Sequence, residues 1–158
     1  MSDADRGVSI ALTHAFTVAI TAVLLTGLLI GAGQLLDTQE DRVTQQQFSE
    51  IGNDLVSQLD RFDRLAAAPG NASATVTLEY PREVAGYSYR LSVIETDGRF
   101  TQPYALEVAH LQKDTTVVYP IANDTSIDAD SRAPGGPVEV CLERDGNASV
   151  IAFGEGCS

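Results

Sequence analysis

The sequence predicts an α+β protein in which a long N-terminal helix, membrane-spanning first and amphipathic after, carries a C-terminal antiparallel β head, like a lollipop. Three observations predict it. Residues 8–36 contain no Asp, Glu, Lys or Arg. Residues 37–68 contain no proline and repeat apolar side chains at helical spacing. Beyond residue 74, apolar residues alternate in short runs separated by turn-forming pairs such as Asp97-Gly98. The expected organisation is a short leader at 1–7, a transmembrane helix at 8–36, an amphipathic continuation at 37–68 and an exterior β domain at 74–158.

The uncharged run accounts for the anchor. Its 29 residues, at about 1.5 Å each, make a rod of roughly 43 Å, more than the ~30 Å hydrocarbon core of a bilayer needs. A secretory signal has a shorter apolar region followed by a small-residue cleavage site. The best candidate on the far side here, Ala32-Gly33, comes too late. Arg6-Gly7 precedes the run instead, so a membrane peptidase working at the surface would find an unhindered bond between Gly7 and Val8. Charged residues flank most membrane helices, and the same junction suits an uncut anchor.

Within the run, Thr13, Thr17, Thr21, Gly27 and Gly31 fall inside about 120° of the helical wheel, and Gly27 to Gly31 is a Gly-x-x-x-Gly pattern. Small residues on one face let helices approach closely, and Thr hydroxyls can bond across the contact. The face predicts self-association or packing against a partner helix. His14 is the one ionisable side chain in the run. It stands about two turns from Arg6, which suits a neutral, hydrogen-bonded residue at the membrane interface.

Past the run, Phe48, Ile51, Leu55, Leu59, Phe62 and Ala66 lie within about 80° of one another at 100° per residue. Glu50, Asn53, Ser57, Asp60 and Arg61 occupy the opposite face. Gln45, Gln46 and Gln47 bridge the two stretches, and Gly52 is the weak point. The pattern predicts one nearly continuous helix from about Ile10 to Ala67, closed by Pro69-Gly70.

Six strands of period two follow, at Thr75–Tyr80, Tyr87–Glu95, Tyr104–Leu111, Thr115–Ile121, Val138–Glu143 and Ser149–Phe153. Asp97-Gly98, Lys113-Asp114 and Asp145-Gly146 sit between successive members, and short turns make antiparallel neighbours. Residues 122–137 are polar and rich in Asp, Ser, Gly and Pro, and read as a loop. His110 falls on a strand face with Leu106 and Val108. A curled sheet wrapped on the amphipathic half-helix would bury both apolar faces together.

The chain has 158 residues and a net charge of −12. After the anchor, Asp37 to Ser158 carries 20 acids and nine bases, an excess of eleven negatives. Such a surface repels nucleic acid and anionic lipid headgroups. A hydrophobic content of 44% argues against disorder. Lys113 is the single lysine, and in composition the chain resembles proteins of extreme halophiles. Sidedness is not decided by basic residues, because Arg6 and Arg42 lie on opposite flanks. Asn71-Ala-Ser, Asn123-Asp-Thr and Asn147-Ala-Ser are N-glycosylation acceptor patterns, and Cys141 with Cys157 suits an oxidising exterior. An outside C-terminal domain follows. With a turn at Asp145-Gly146, Cys141 would stand opposite about Val150, not Cys157. The tail Gly154-Glu-Gly-Cys157 must then bend back to close a disulfide, worth about 3 kcal/mol for a loop of this length.

Signals for catalysis are missing from the sequence. It has no Gly-x-Ser-x-Gly, no His-Glu-x-x-His and no phosphate-binding Gly-rich loop. Asp124, Asp128 and Asp130 lack the spacing and closing Glu of an EF-hand. Neither an enzyme, a cofactor nor a metal site is expected.

Asp5-Arg6-Gly7-Val8-Ser9, followed by an apolar helix that continues into an amphipathic one and then a small β head, resembles type IV pilin-like proteins of haloarchaea. The stretches Arg6-Gly-Val-Ser-Ile-Ala-Leu-Thr-His14 and Thr26-Gly-Leu-Leu-Ile-Gly-Ala-Gly33 carry the likeness, which covers roughly the first 65 residues. It implies that a prepilin-type peptidase cuts the Gly7–Val8 bond. The mature helix would then pack with other pilin-like subunits in a pilus or remain in membrane lipid. Leu12 stands where bacterial pilins carry Glu, and the Ser-Pro-Val-Ile-Gly stretch of many archaeal major pilins is missing. Those departures favour a minor or accessory subunit. The alternative is an uncut single-pass membrane protein whose exterior β domain binds a partner.

Overall fold

The computed structural model describes residues 3–68, 73–98, 100–145 and 148–157. The fold is α+β, a long N-terminal helix followed by a largely antiparallel β domain. The helix, α1, spans Asp3–Ala66 and so begins earlier than expected. Ala67 and Ala68 donate back to the carbonyls of Asp63 and Leu65, closing its last turn. Pro69-Gly70, the expected stop, lies outside the described residues.

By compactness the chain falls into two units, Met1–Arg42 and Val43–Ser158. In the second, the helix shares a core with nine strands found among the described residues. These are β1 (Ala74–Glu79), β2 (Glu83–Val84), β3 (Tyr87–Glu95), β4 (Tyr104–His110), β5 (Thr116–Pro120), β6 (Ser126–Ile127), β7 (Arg132–Pro134), β8 (Pro137–Asp145) and β9 (Ala148–Phe153). One sheet runs β1-β8-β9-β6 and the other β2-β3-β4-β5, with β7 also pairing β3. A bridge between Arg132 and Gly154 links the two.

All six expected strands form. The expected loop at 122–137 is a correction, because it contains β6, parallel to β9, and β7, antiparallel to β3. These strands, like β2, are two or three residues long. They are too short to show alternation and are held by the edges of longer neighbours. A second correction is register. Asp145 pairs with Ala148, so the turn falls later than expected and Cys141 stands opposite Ala152, not Val150.

Alternation decides which side chains fill the core. Tyr89, Leu91 and Val93 point in from β3, Leu106 and Val108 from β4, and Val138, Val140 and Leu142 from β8. Phe48, Ile51, Leu55, Leu59 and Phe62 meet them from the helix. Tyr89 keeps its hydroxyl satisfied by donating to the Pro81 carbonyl at 2.8 Å, and burial pushes its phenol up to about 12. His110 packs between the rings of Phe48 and Tyr87, with centroids 5.1 and 5.5 Å away.

Gly52 has a packing reason. A Cβ there would stand 2.2 Å from Cε2 of Tyr119 on β5, so the ring lies on bare helix backbone. Ala in an open helix position gains about 1 kcal/mol over Gly. At Gly52 the displaced ring should outweigh that gain, leaving Gly52→Ala about 1–2 kcal/mol less stable. In a Tyr119→Ala background the same substitution should become stabilising. A double-mutant cycle in urea measures both signs.

Candidate functional site

Residues 12–36 of the first unit present a largely apolar surface. Every residue from 12 to 36 is exposed, including Val23 at 71%, Leu28 at 70% and Leu29 at 75%. An 18-residue window there has a mean hydropathy of 2.2, and none of it is buried. The helix is long and apolar enough to cross a membrane. A continuous patch of that size in water would drive association.

Three threonines on this helix bond back onto its own backbone. Thr17 donates its hydroxyl to the Thr13 carbonyl at 2.9 Å, Thr21 to Thr17 at 2.8 Å and Thr26 to Ala22 at 2.8 Å. These hydroxyls donate their protons to the helix itself, an arrangement that needs no outside acceptor. They therefore reach a neighbouring helix only as acceptors, a narrower role than the sequence implied. Gly27 and Gly31 have no atom within 4 Å of where a Cβ would stand. They floor a shallow groove walled by Val23, Leu24, Leu28 and Leu35. Gly7 and Val8 lie in the first turns of α1; their side chains fall outside the described residues.

In the second unit, Cys141 and Cys157 form a disulfide with Cα atoms 5.8 Å apart. The tail bends back to reach it, with Gly154 donating to the Glu139 carbonyl at 2.8 Å and Glu155 to the Arg132 carbonyl at 2.9 Å. Arg132 donates to the Glu155 carboxylate at 2.6 Å. Of the acceptor patterns, Asn71 and Asn147 lie outside the described residues. Asn123 lies between β5 and β6, half-buried, with its Nδ2 closed off from solvent. Asp128 caps its own loop by accepting from the Asp130 N–H at 3.0 Å. Among the described residues no group of His, Cys, Asp and Glu is arranged to hold a metal ion.

Two hydrogen bonds from residues just outside the strands to α1 escape sequence reasoning, since no local pattern announces them. Tyr80 donates its hydroxyl to Asp54 at 2.8 Å, beside a groove lined by Glu50, Asp54 and Glu79. Burial foremost, and then Asp54, raise the Tyr80 phenol above its ordinary range.

The second contact is the Thr125 N–H, which donates to Asp63 Oδ1 at 2.7 Å. Burial alone would raise the Asp63 carboxyl, but hydrogen bonds from the Thr125 hydroxyl and the Thr125 and Asp124 backbone, with the Arg64 charge, hold it below the usual range. A carboxylate lowered by folding contributes stability above its unfolded pKa and loses it as pH falls through the folded pKa. Asp63→Asn should therefore cost about 1–2 kcal/mol at neutral pH and almost nothing in acid below the carboxylate range, as urea melts at the two pH values would measure.

No curated protein and no solved structure matches the chain. A family model does, over residues 3–153, taking in both the apolar helix and all nine strands found among the described residues. On that match, the chain belongs to DUF7266, a family of unknown function.

Proposed function

We propose that this is a structural, non-enzymatic surface protein of the pilin-like kind, a minor or accessory type IV pilin. It is held in the cell membrane by α1 with its β domain outside, and it assembles, in the membrane or in a pilus, by helix packing with other pilin-like subunits. The observation that carries this reading is the apolar window of α1, none of which is buried within the chain. Such a surface calls for lipid or other apolar helices as partners. The Arg6-Gly7-Val8 junction supports processing by a prepilin-type peptidase, and the disulfide supports an oxidising exterior. The acidic, Lys-poor surface fits a haloarchaeal setting and offers nothing to nucleic acid.

Mass spectrometry of the N-terminal peptide from purified membranes tests the reading. A mature chain beginning at Val8 is expected. One still beginning at Met1 or Ser2 would leave an uncut single-pass anchor and defeat the pilin assignment. Helix packing has its own test. Gly31→Leu fills the groove floor and should reduce crosslinking between α1 copies about tenfold, as the loss of a close approach worth about 1–2 kcal/mol implies. Unchanged crosslinking would remove the small-residue face from the assembly.

A further inference from the structure

We propose that the Asn123-Asp-Thr125 acceptor is a fold-gated modification site: Asp63 on α1 latches its loop, so the open chain accepts a glycan there and the folded head refuses one. Transfer requires Asn123 Nδ2 to attack the anomeric carbon of a lipid-phosphate-linked sugar. A C–N bond forms, the anomeric C–O bond to the phosphate breaks and the amide loses one proton. The transferase must also reach the hydroxyl two residues on, which is why the acceptor pattern ends in Ser or Thr.

Folding withdraws both groups. Nδ2 of Asn123 has less than 1 Å² of accessible surface. The Thr125 hydroxyl and N–H are both engaged by the Asp63 carboxylate, the latter at 2.7 Å. The flanks are pinned as well. Ile121 is buried and donates its N–H to the Tyr104 carbonyl at 3.1 Å, and Ile127 is buried where β6 pairs with β9. Lifting Asn123 into a transferase therefore means parting Asp63 from Thr125 and drawing the loop off the helix. The inference concerns the head alone and stands or falls separately from the assembly role.

The test uses the purified full chain in detergent, a purified oligosaccharyltransferase and its lipid-linked sugar, with glycopeptide mass spectrometry of the tryptic peptide 114–132. A synthetic peptide of that sequence should be modified. The folded chain should be modified about tenfold less or lower still, and Asp63→Ala should recover about tenfold, the scale set by losing charge-assisted hydrogen bonds that hold a local opening shut. Phe48→Ala loosens the core far along the helix from the latch. Assayed below its melting temperature, it should stay closed. Modification of the folded wild type at the peptide's rate would overturn the proposal. So would an Asp63→Ala chain as resistant as wild type, or a Phe48→Ala chain as open as Asp63→Ala.

Discussion

Phe48→Ala should destabilise the second unit by about 3–5 kcal/mol, the range for emptying a fully buried aromatic site. Phe48 has no exposed surface. Its ring centroid lies 5.6 Å from that of Tyr89 and 5.1 Å from that of His110, so it joins the helix to β3 and β4 together. Truncation opens a void that these rings cannot both collapse into, because Tyr89 is tethered through its hydroxyl to Pro81. The removed ring also forfeits its tilted contacts with these two rings, at interplanar angles of 50° and 51°, and aromatic pairs are worth about 0.5–1.5 kcal/mol beyond their area. Phe16 supplies the control within the same helix. It is 60% exposed, and Phe16→Ala should leave the urea midpoint of the head unchanged while altering detergent or lipid binding. Circular dichroism during urea titration in detergent reads the first effect, and partition into liposomes reads the second. Equal losses of head stability for the two variants would mean that the helix does not divide into a packed stretch and an exposed one.

That division was legible in the residues. Spacing alone puts Phe48, Ile51, Leu55, Leu59, Phe62 and Ala66 on one face; the first five are buried and Ala66 is partly buried. The strands were legible for the same reason. Burial on one side forces alternation, and Tyr89, Leu91 and Val93 follow it. Pairing was less legible. β1 lies beside β8, not beside the strand next in sequence, since the alternation of a strand says which face is buried and nothing about which edge is met. The small strands β2, β6 and β7 leave no periodic trace. For the candidate surface, sequence located the small residues but not the internal bonding of Thr17 and Thr21, which depends on rotamer choice along the helix. The Asp63 to Thr125 and Gly52 to Tyr119 contacts join residues more than 60 apart. They follow from tertiary packing, so an Asp and a Gly on the helix looked like ordinary surface and an ordinary weak point.

Removing the disulfide should be nearly as damaging as emptying the core. Cys141 and Cys157 are 16 residues apart, and in the chain-entropy account a loop of that size contributes about 3 kcal/mol by restricting the unfolded chain. The geometry adds a local reason. Cys141 and Ala152 lie opposite one another across β8 and β9 on the side away from the core, and both are nonetheless buried. The returning tail contributes to that cover: a Cβ at Gly156 would stand 2.7 Å from Asp128, 2.8 Å from Ser131 and 3.0 Å from Ala152. Without the covalent tie, the tail keeps its backbone bonds to Glu139 and Arg132 and the exposed Arg132–Glu155 pair, and an exposed pair contributes about 0–1 kcal/mol. Those contacts cannot replace the bond. The Cys141→Ala/Cys157→Ala chain should melt roughly 12–24 °C lower than the oxidised wild type, given about 4–8 °C per kcal/mol for a unit near this size. Reductant should lower the wild type to the same temperature and leave the double variant unmoved. If the two melting temperatures coincide before reductant is added, the tail is held by its hydrogen bonds and the disulfide adds nothing to the head.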